Sequence, residues 1–148
     1  MAKSLIVEEG ENLIHIPLYY QAKKNKYGVL QYKILSDEEG KKLVEKKDES
    51  VDILNTKWIS PTWKSNNTIV RSSTYYNPSD GTNRIDWSKY QDNVFRNCLR
   101  EWDVVDGEGK PIPVNSDTIG SLPSIIASAL LEKYDKSISI DEDEKKKS

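Results

Sequence analysis

The stretch Asp86-Trp87-Ser88-Lys89-Tyr90-Gln91-Asp92-Asn93-Val94-Phe95-Arg96-Asn97-Cys98-Leu99-Arg100-Glu101-Trp102 carries the strongest structural signal in the chain. Asp86 is a favoured N-cap residue. Trp87, Tyr90, Val94 and Cys98 then recur at helical spacing, and Gln91, Phe95, Leu99 and Trp102 widen the stripe. An apolar face of that breadth is ordinarily core. The pattern predicts a helix over about 86–102. Its exit is extended at Asp103-Val104-Val105 and turns at Asp106-Gly107-Glu108-Gly109, where glycine allows positive φ. Beyond Lys110-Pro111-Ile112-Pro113-Val114, Asn115 or Ser116 caps one helical turn ending near Gly120. A second main helix is predicted over about 122–136, with Pro123 in its first turn. Its inner stripe is Ile126, Ala129, Leu130 and Tyr134, and the small run Ala127-Ser128-Ala129 suits close packing on the first helix.

The N-terminal half has a different periodicity. Leu13-Ile14-His15-Ile16-Pro17-Leu18-Tyr19-Tyr20 reads as a strand, at an edge or interrupted, because Pro17 cannot donate to a ladder. From Tyr27 to Ile34 residues alternate, with Gly28, Leu30, Tyr32 and Ile34 on the more apolar face. Together these predict a hairpin with a polar loop rich in lysine. Ser36-Asp37-Glu38-Glu39 is a capping-box pattern opening a short, exposed helix. Val51, Ile53 and Leu54 suit an extended connector, Lys64 to Tyr76 suits helix or strand, and Asn77-Pro78-Ser79-Asp80-Gly81 is a turn. The fold class is α+β: an N-terminal β-hairpin or small sheet packed with a C-terminal helical part. The single domain spans 1–136, and the charged run 137–148 is a tail with little to bury.

Composition narrows the function. The net charge is −2, so no bulk cationic field draws in nucleic acid. Lysines and tyrosines around residues 21–34 keep a single-strand-binding reading open, although both residue types are also common on strand edges. Cys98 is the one cysteine and sits in the helical stripe, where a small buried thiol is the ordinary reading. His15 is the one histidine and has no ligand-type partners at metal spacing. The acids around Gly107 and Gly109 run into Lys110-Pro111, which is not a calcium loop, and no Gly-Lys-Ser/Thr opens a helix. No pair of carboxylates and no nucleophile–base arrangement stands out. The chain is therefore expected to be non-enzymatic, with no catalytic, cofactor or metal residues to name. No apolar run nears the roughly 20 residues needed to span a bilayer, which points to the cytoplasm.

Trp58-Ile59-Ser60-Pro61-Thr62-Trp63 places two indoles about a Ser-Pro break. They either seal the core or anchor a protein partner, since aromatics dominate interface hot spots. Trp58, Trp63, Trp87 and Trp102 are the candidate protein-binding residues.

The order of these motifs carries a resemblance. After Trp58–Trp63 come a Thr/Ser/Asn-rich stretch, a helix ending Leu99-Arg100-Glu101-Trp102-Asp103, then Gly109-Lys110-Pro111-Ile112-Pro113-Val114, Leu122-Pro123 and Ala129-Leu130-Leu131. Over Trp58 to Asp135 this resembles the small tail assembly chaperones of tailed bacteriophages. The resemblance implies binding to the tape-measure protein, recruitment of tail-tube subunits during virion morphogenesis, and residence in the host cytoplasm. The alternatives are a structural virion accessory protein (a neck, tail or capsid component) and the single-strand-binding reading. Self-association is open in each case.

Overall fold

In the computed structural model residues 13–139 are described. The expected N-terminal segment before them, and the tail from 140 onward, lie outside the described residues. The fold is α+β, built on a four-stranded antiparallel sheet of order β2-β1-β3-β6. Its strands are β1 (Ile14–Lys24), β2 (Leu30–Leu35), β3 (Val51–Trp58) and β6 (Leu99–Trp102). A two-stranded arm, β4 (Thr74–Asn77) and β5 (Thr82–Ile85), stands apart from it. The helices are α1 (Asp37–Glu45), α2 (Trp63–Ser72), α3 (Trp87–Cys98), α4 (Ser116–Gly120) and α5 (Ser124–Ile138).

β1 and β2 form the expected hairpin, and the loop is closed by the Asn25 side chain, which accepts from the amides of Tyr27 and Val29. Tyr32 and Ile34 sit on the inward face; Leu30 of the same set stays exposed. Pro17 did not confine β1 to an edge. The strand is central, pairing with β3 along Ile14–Gln21 and with β2 from Tyr19 onward. Pro17 falls in the part that β2 does not cover, and its carbonyl is taken by Lys133 of α5, which also pairs with Asp37. A residue without an N–H is tolerated where the ladder on that side is open.

Register sorts the side chains into two faces. Ile16, Leu18 and Ile14 stand opposite Thr56, Leu54 and Trp58, and this face holds the main core with Phe95, Cys98, Leu99, Ile126, Leu130 and Tyr134. On the other face Tyr19, opposite Ile53 and Leu35, is buried under α1. That contact uses Gly40, where an added Cβ would overlap the root of the Tyr19 ring. The Ser36 hydroxyl accepts from the Glu39 amide and caps α1 as its sequence indicates.

Further expectations change in the C-terminal half. The helix opened by Asp86 ends at Cys98, not at Trp102, because Leu99–Trp102 turns extended and pairs with the outer edge of β3. The pairing satisfies backbone groups that β3 would otherwise present unpaired. α5 lies chiefly on β1 and β2, not on α3; its reach to the first helix is through Tyr134 near Cys98. Pro123 precedes α5 as its N-cap residue, and Ser137 and Ile138 belong to the helix, so α5 passes the expected boundary at 136.

Candidate protein-binding surface

α2 and α3 are antiparallel neighbours tied at both ends. The Asp86 amide donates to the Ser73 carbonyl at 2.8 Å at one end, and the Ile59 amide to the Cys98 carbonyl at 2.8 Å at the other. Few residues of α2 favour a helix. Hydroxyls in the helix and just past its end turn back onto the carbonyls four residues earlier: Thr68 to Lys64 and Ser72 to Thr68 within α2, the C-cap Ser73 to Ile69, and Thr74 of β4 to Val70. Such bonds satisfy the hydroxyls locally at a slight cost to the helix, in keeping with its poor helix formers. Thr62 and Asp86 cap the two helices through the amides of Ser65 and Lys89. The one large apolar side chain that α2 buries is Ile69.

The four tryptophans fall into two classes. Trp58 is 0% exposed. Its ring stacks on Tyr134 and lies 5.3 Å from Phe95, while Nε1 donates to Thr56 Oγ1 at 2.7 Å. A side chain so enclosed cannot meet a partner, and Trp58 leaves the candidate set as a core residue. Trp102 is half-buried and donates Nε1–H to the Ile112 carbonyl at 2.6 Å. Its polar atom is committed to the chain's own exit, which leaves part of the ring surface exposed. Trp63 is 82% and Trp87 64% exposed. Each sits in the first position of its helix, where the side chain has no preceding turn to pack on.

Because the helices run antiparallel, these two indoles stand at opposite ends of the pair. Ten residues of helix separate the ends, or about 15 Å. Trp87 meets Tyr90 edge-on with centroids 5.5 Å apart. The same end carries the β4–β5 arm, whose Tyr75 and Tyr76 are also exposed. These two exposed tyrosines were not singled out from the sequence; the signal available was Tyr75-Tyr76 just before the turn Asn77–Gly81.

The exit segment, Trp102 to Val114, is a pinned hairpin. Asp106 Oδ1 accepts from the amides of Glu108 and Lys110, Gly109 takes φ of 81°, and Ile112 N donates to the Val104 carbonyl. The Asp106 carboxylate is thus used by its own turn. His15 Nε2 lies 3.1 Å from Asn55 Oδ1, on the strand surface as expected. Cys98 is buried beside Tyr134, whose hydroxyl is pushed up from its ordinary pKa by burial first and then by the thiol. Among the described residues no three of His, Cys, Asp and Glu gather as a metal site, and no helix is long and apolar enough to cross a membrane.

Compared with known proteins, the chain matches no family model, no curated protein and no solved structure.

Proposed function

We propose that this protein is a non-enzymatic binding protein that acts as a tail assembly chaperone of a tailed bacteriophage. In this reading it holds a helical segment of the tape-measure protein in the host cytoplasm and helps bring tail-tube subunits to it. The observation that carries the binding role is the pair of tryptophans, Trp63 and Trp87, at 82% and 64% exposure on one antiparallel helix pair. Large apolar side chains left in solvent are the informative exceptions on a folded surface, and tryptophan is the residue type most enriched at hot spots. The phage assignment is supported by the ordered motif series from Trp58 to Asp135.

The decisive experiment is co-expression with the tape-measure protein of the same phage, followed by purification and mass spectrometry of finished particles. Co-purification with the tape-measure protein, weakened by Trp63→Ala and Trp87→Ala, together with absence from particles, is the expected result. Stoichiometric copies in purified particles would instead assign a structural virion role. Binding to single-stranded nucleic acid that falls steeply with salt would assign the third reading.

A further inference from the structure

A cleft of about 350 Å³ lies on the core face of the sheet, away from Trp63 and Trp87. Its sheet side is made by Tyr20, Tyr32 and Leu54, and its far wall by Leu122, Pro123 and Ile126 at the start of α5. Register explains the arrangement: Tyr20 stands directly opposite Asp52 on β3 and opposite Ile34 on β2. The Tyr20 and Tyr32 rings are 6.1 Å apart and inclined at 55°, so they form two sides of an aromatic corner. Two carboxylates, Asp52 and Asp103, line the cleft, and none of its lining residues is cationic. Asp103 is held in place by Asn55, whose amide and side-chain nitrogen donate to its two oxygens at 2.9 and 2.8 Å. Burial first, and then Asp52, Tyr32 and Asp103, raise the Tyr20 hydroxyl above its ordinary pKa.

We propose that this cleft seats a lysine or arginine side chain presented by an extended segment of a partner protein, with its methylenes on the tyrosines and the Leu122–Ile126 wall and its charge beside Asp52 and Asp103. The chemistry selects that occupant. Aromatic faces attract cations, and long basic side chains bring an apolar stem with a charged head. An anion would meet two carboxylates. A purely apolar group would desolvate them without compensation. The volume is at the small end for a ligand site and suits one side chain rather than a larger ligand. The chain's own Lys145 is six residues beyond Ser139. Fully stretched, the six to eight residues from Ser139 to Lys145–Lys147 cover roughly 20–28 Å, about the length of α5 or a little more, so the chain's own lysines are the competing occupant that the test separates. The proposal stands apart from the chaperone reading, since it concerns a different surface and any partner with an exposed basic segment.

The test is a titration of the isotope-labelled full chain, followed by backbone NMR, with two peptides: acetyl-Gly-Ser-Arg-Ser-Gly-amide and its counterpart with norleucine for arginine. The arginine peptide is expected to shift the amides of Tyr20, Tyr32, Asp52 and Asp103 saturably, and to bind about 5-fold more tightly than the norleucine peptide. Asp52→Asn should remove most of that difference while leaving the rest of the spectrum in place. Equal affinity for the two peptides, shifts elsewhere on the surface, or no shifts at millimolar peptide would overturn the proposal. So would binding that appears only after Lys145, Lys146 and Lys147 are changed to glutamine, because the cleft would then belong to the chain's own tail.

Discussion

Tyr134 stacks on Trp58 with ring centroids 4.5 Å apart and planes 19° from parallel, and its hydroxyl donates to the Ile59 carbonyl at 2.6 Å. One side chain therefore joins the last helix to the end of β3 and to the bend that leads into α2. Offset-stacked rings add about 0.5–1.5 kcal/mol beyond the area they bury. Tyr134→Ala should cost about 3–5 kcal/mol in urea unfolding. Tyr134→Phe keeps the stack but strands a buried carbonyl, for a loss of about 1–3 kcal/mol.

The same hydroxyl predicts an alkaline limit on stability. Its pKa is raised in the fold, so the neutral form is favoured there relative to the unfolded chain. The contribution is fully present below the unfolded value of about 10 and declines as pH rises past it. Unfolding free energy should fall above pH 10 by about 1.4 kcal/mol per pH unit for this group. Tyr134→Phe should show a shallower slope over pH 10–11. An unchanged slope would mean that Tyr134 ionises as easily in the fold as out of it.

Thr56 is fully buried and joins two strands by one hydroxyl, which donates to the Ile16 carbonyl at 2.8 Å and accepts from Trp58 Nε1 at 2.7 Å. Thr56→Val keeps the shape and orphans both partners, so a loss of about 2 kcal/mol or more is expected by chemical denaturation. Thr56→Ser keeps the hydroxyl and should recover much of that loss. Equal effects of the two changes would show that packing, not the hydrogen bonds, decides the site.

Gly40 is in the interior of α1, where alanine would ordinarily be favoured by about 1 kcal/mol. Here the added Cβ would overlap the Tyr19 ring root. Gly40→Ala should therefore lower the melting temperature, with a net cost of about 1–3 kcal/mol. The double change with Tyr19→Ala should be less destabilising than the two single effects summed.

The tryptophans separate by location. Trp63→Ala and Trp87→Ala should leave stability within about 0.5 kcal/mol, as surface changes do. Trp58→Ala should cost about 3–5 kcal/mol. Loss of client binding by the surface pair at unchanged melting temperature is the outcome expected of a binding surface. A large drop in melting temperature for either would show that it belongs to the core.

Local features were legible in the sequence because the atoms that decide them lie within a few residues of one another. Ser36, Asp86 and Asn115 cap helices by accepting from amides three residues on. The Asn77–Gly81 and Asp106–Gly109 turns are closed by their own side chains and amides. Periodicity likewise marked Val94, Phe95 and Cys98, and Ile126, Leu130 and Tyr134, as inner faces, and all six are buried. What the tertiary structure alone decided depends on groups distant along the chain. Leu99 and Trp102 continue a helical stripe, yet the open edge of β3 draws Leu99–Trp102 into the sheet. Trp58 and Trp63 are the same residue type five positions apart, and one is sealed in the core while the other stands in water. No local pattern separates them. Trp58 is placed by Tyr134 and Phe95, whereas Trp63 begins a helix whose core contact is made at Ile69. The cleft at Tyr20 arises in the same way, from three strands, the segment after β6 and the start of α5, which meet only after the chain has folded.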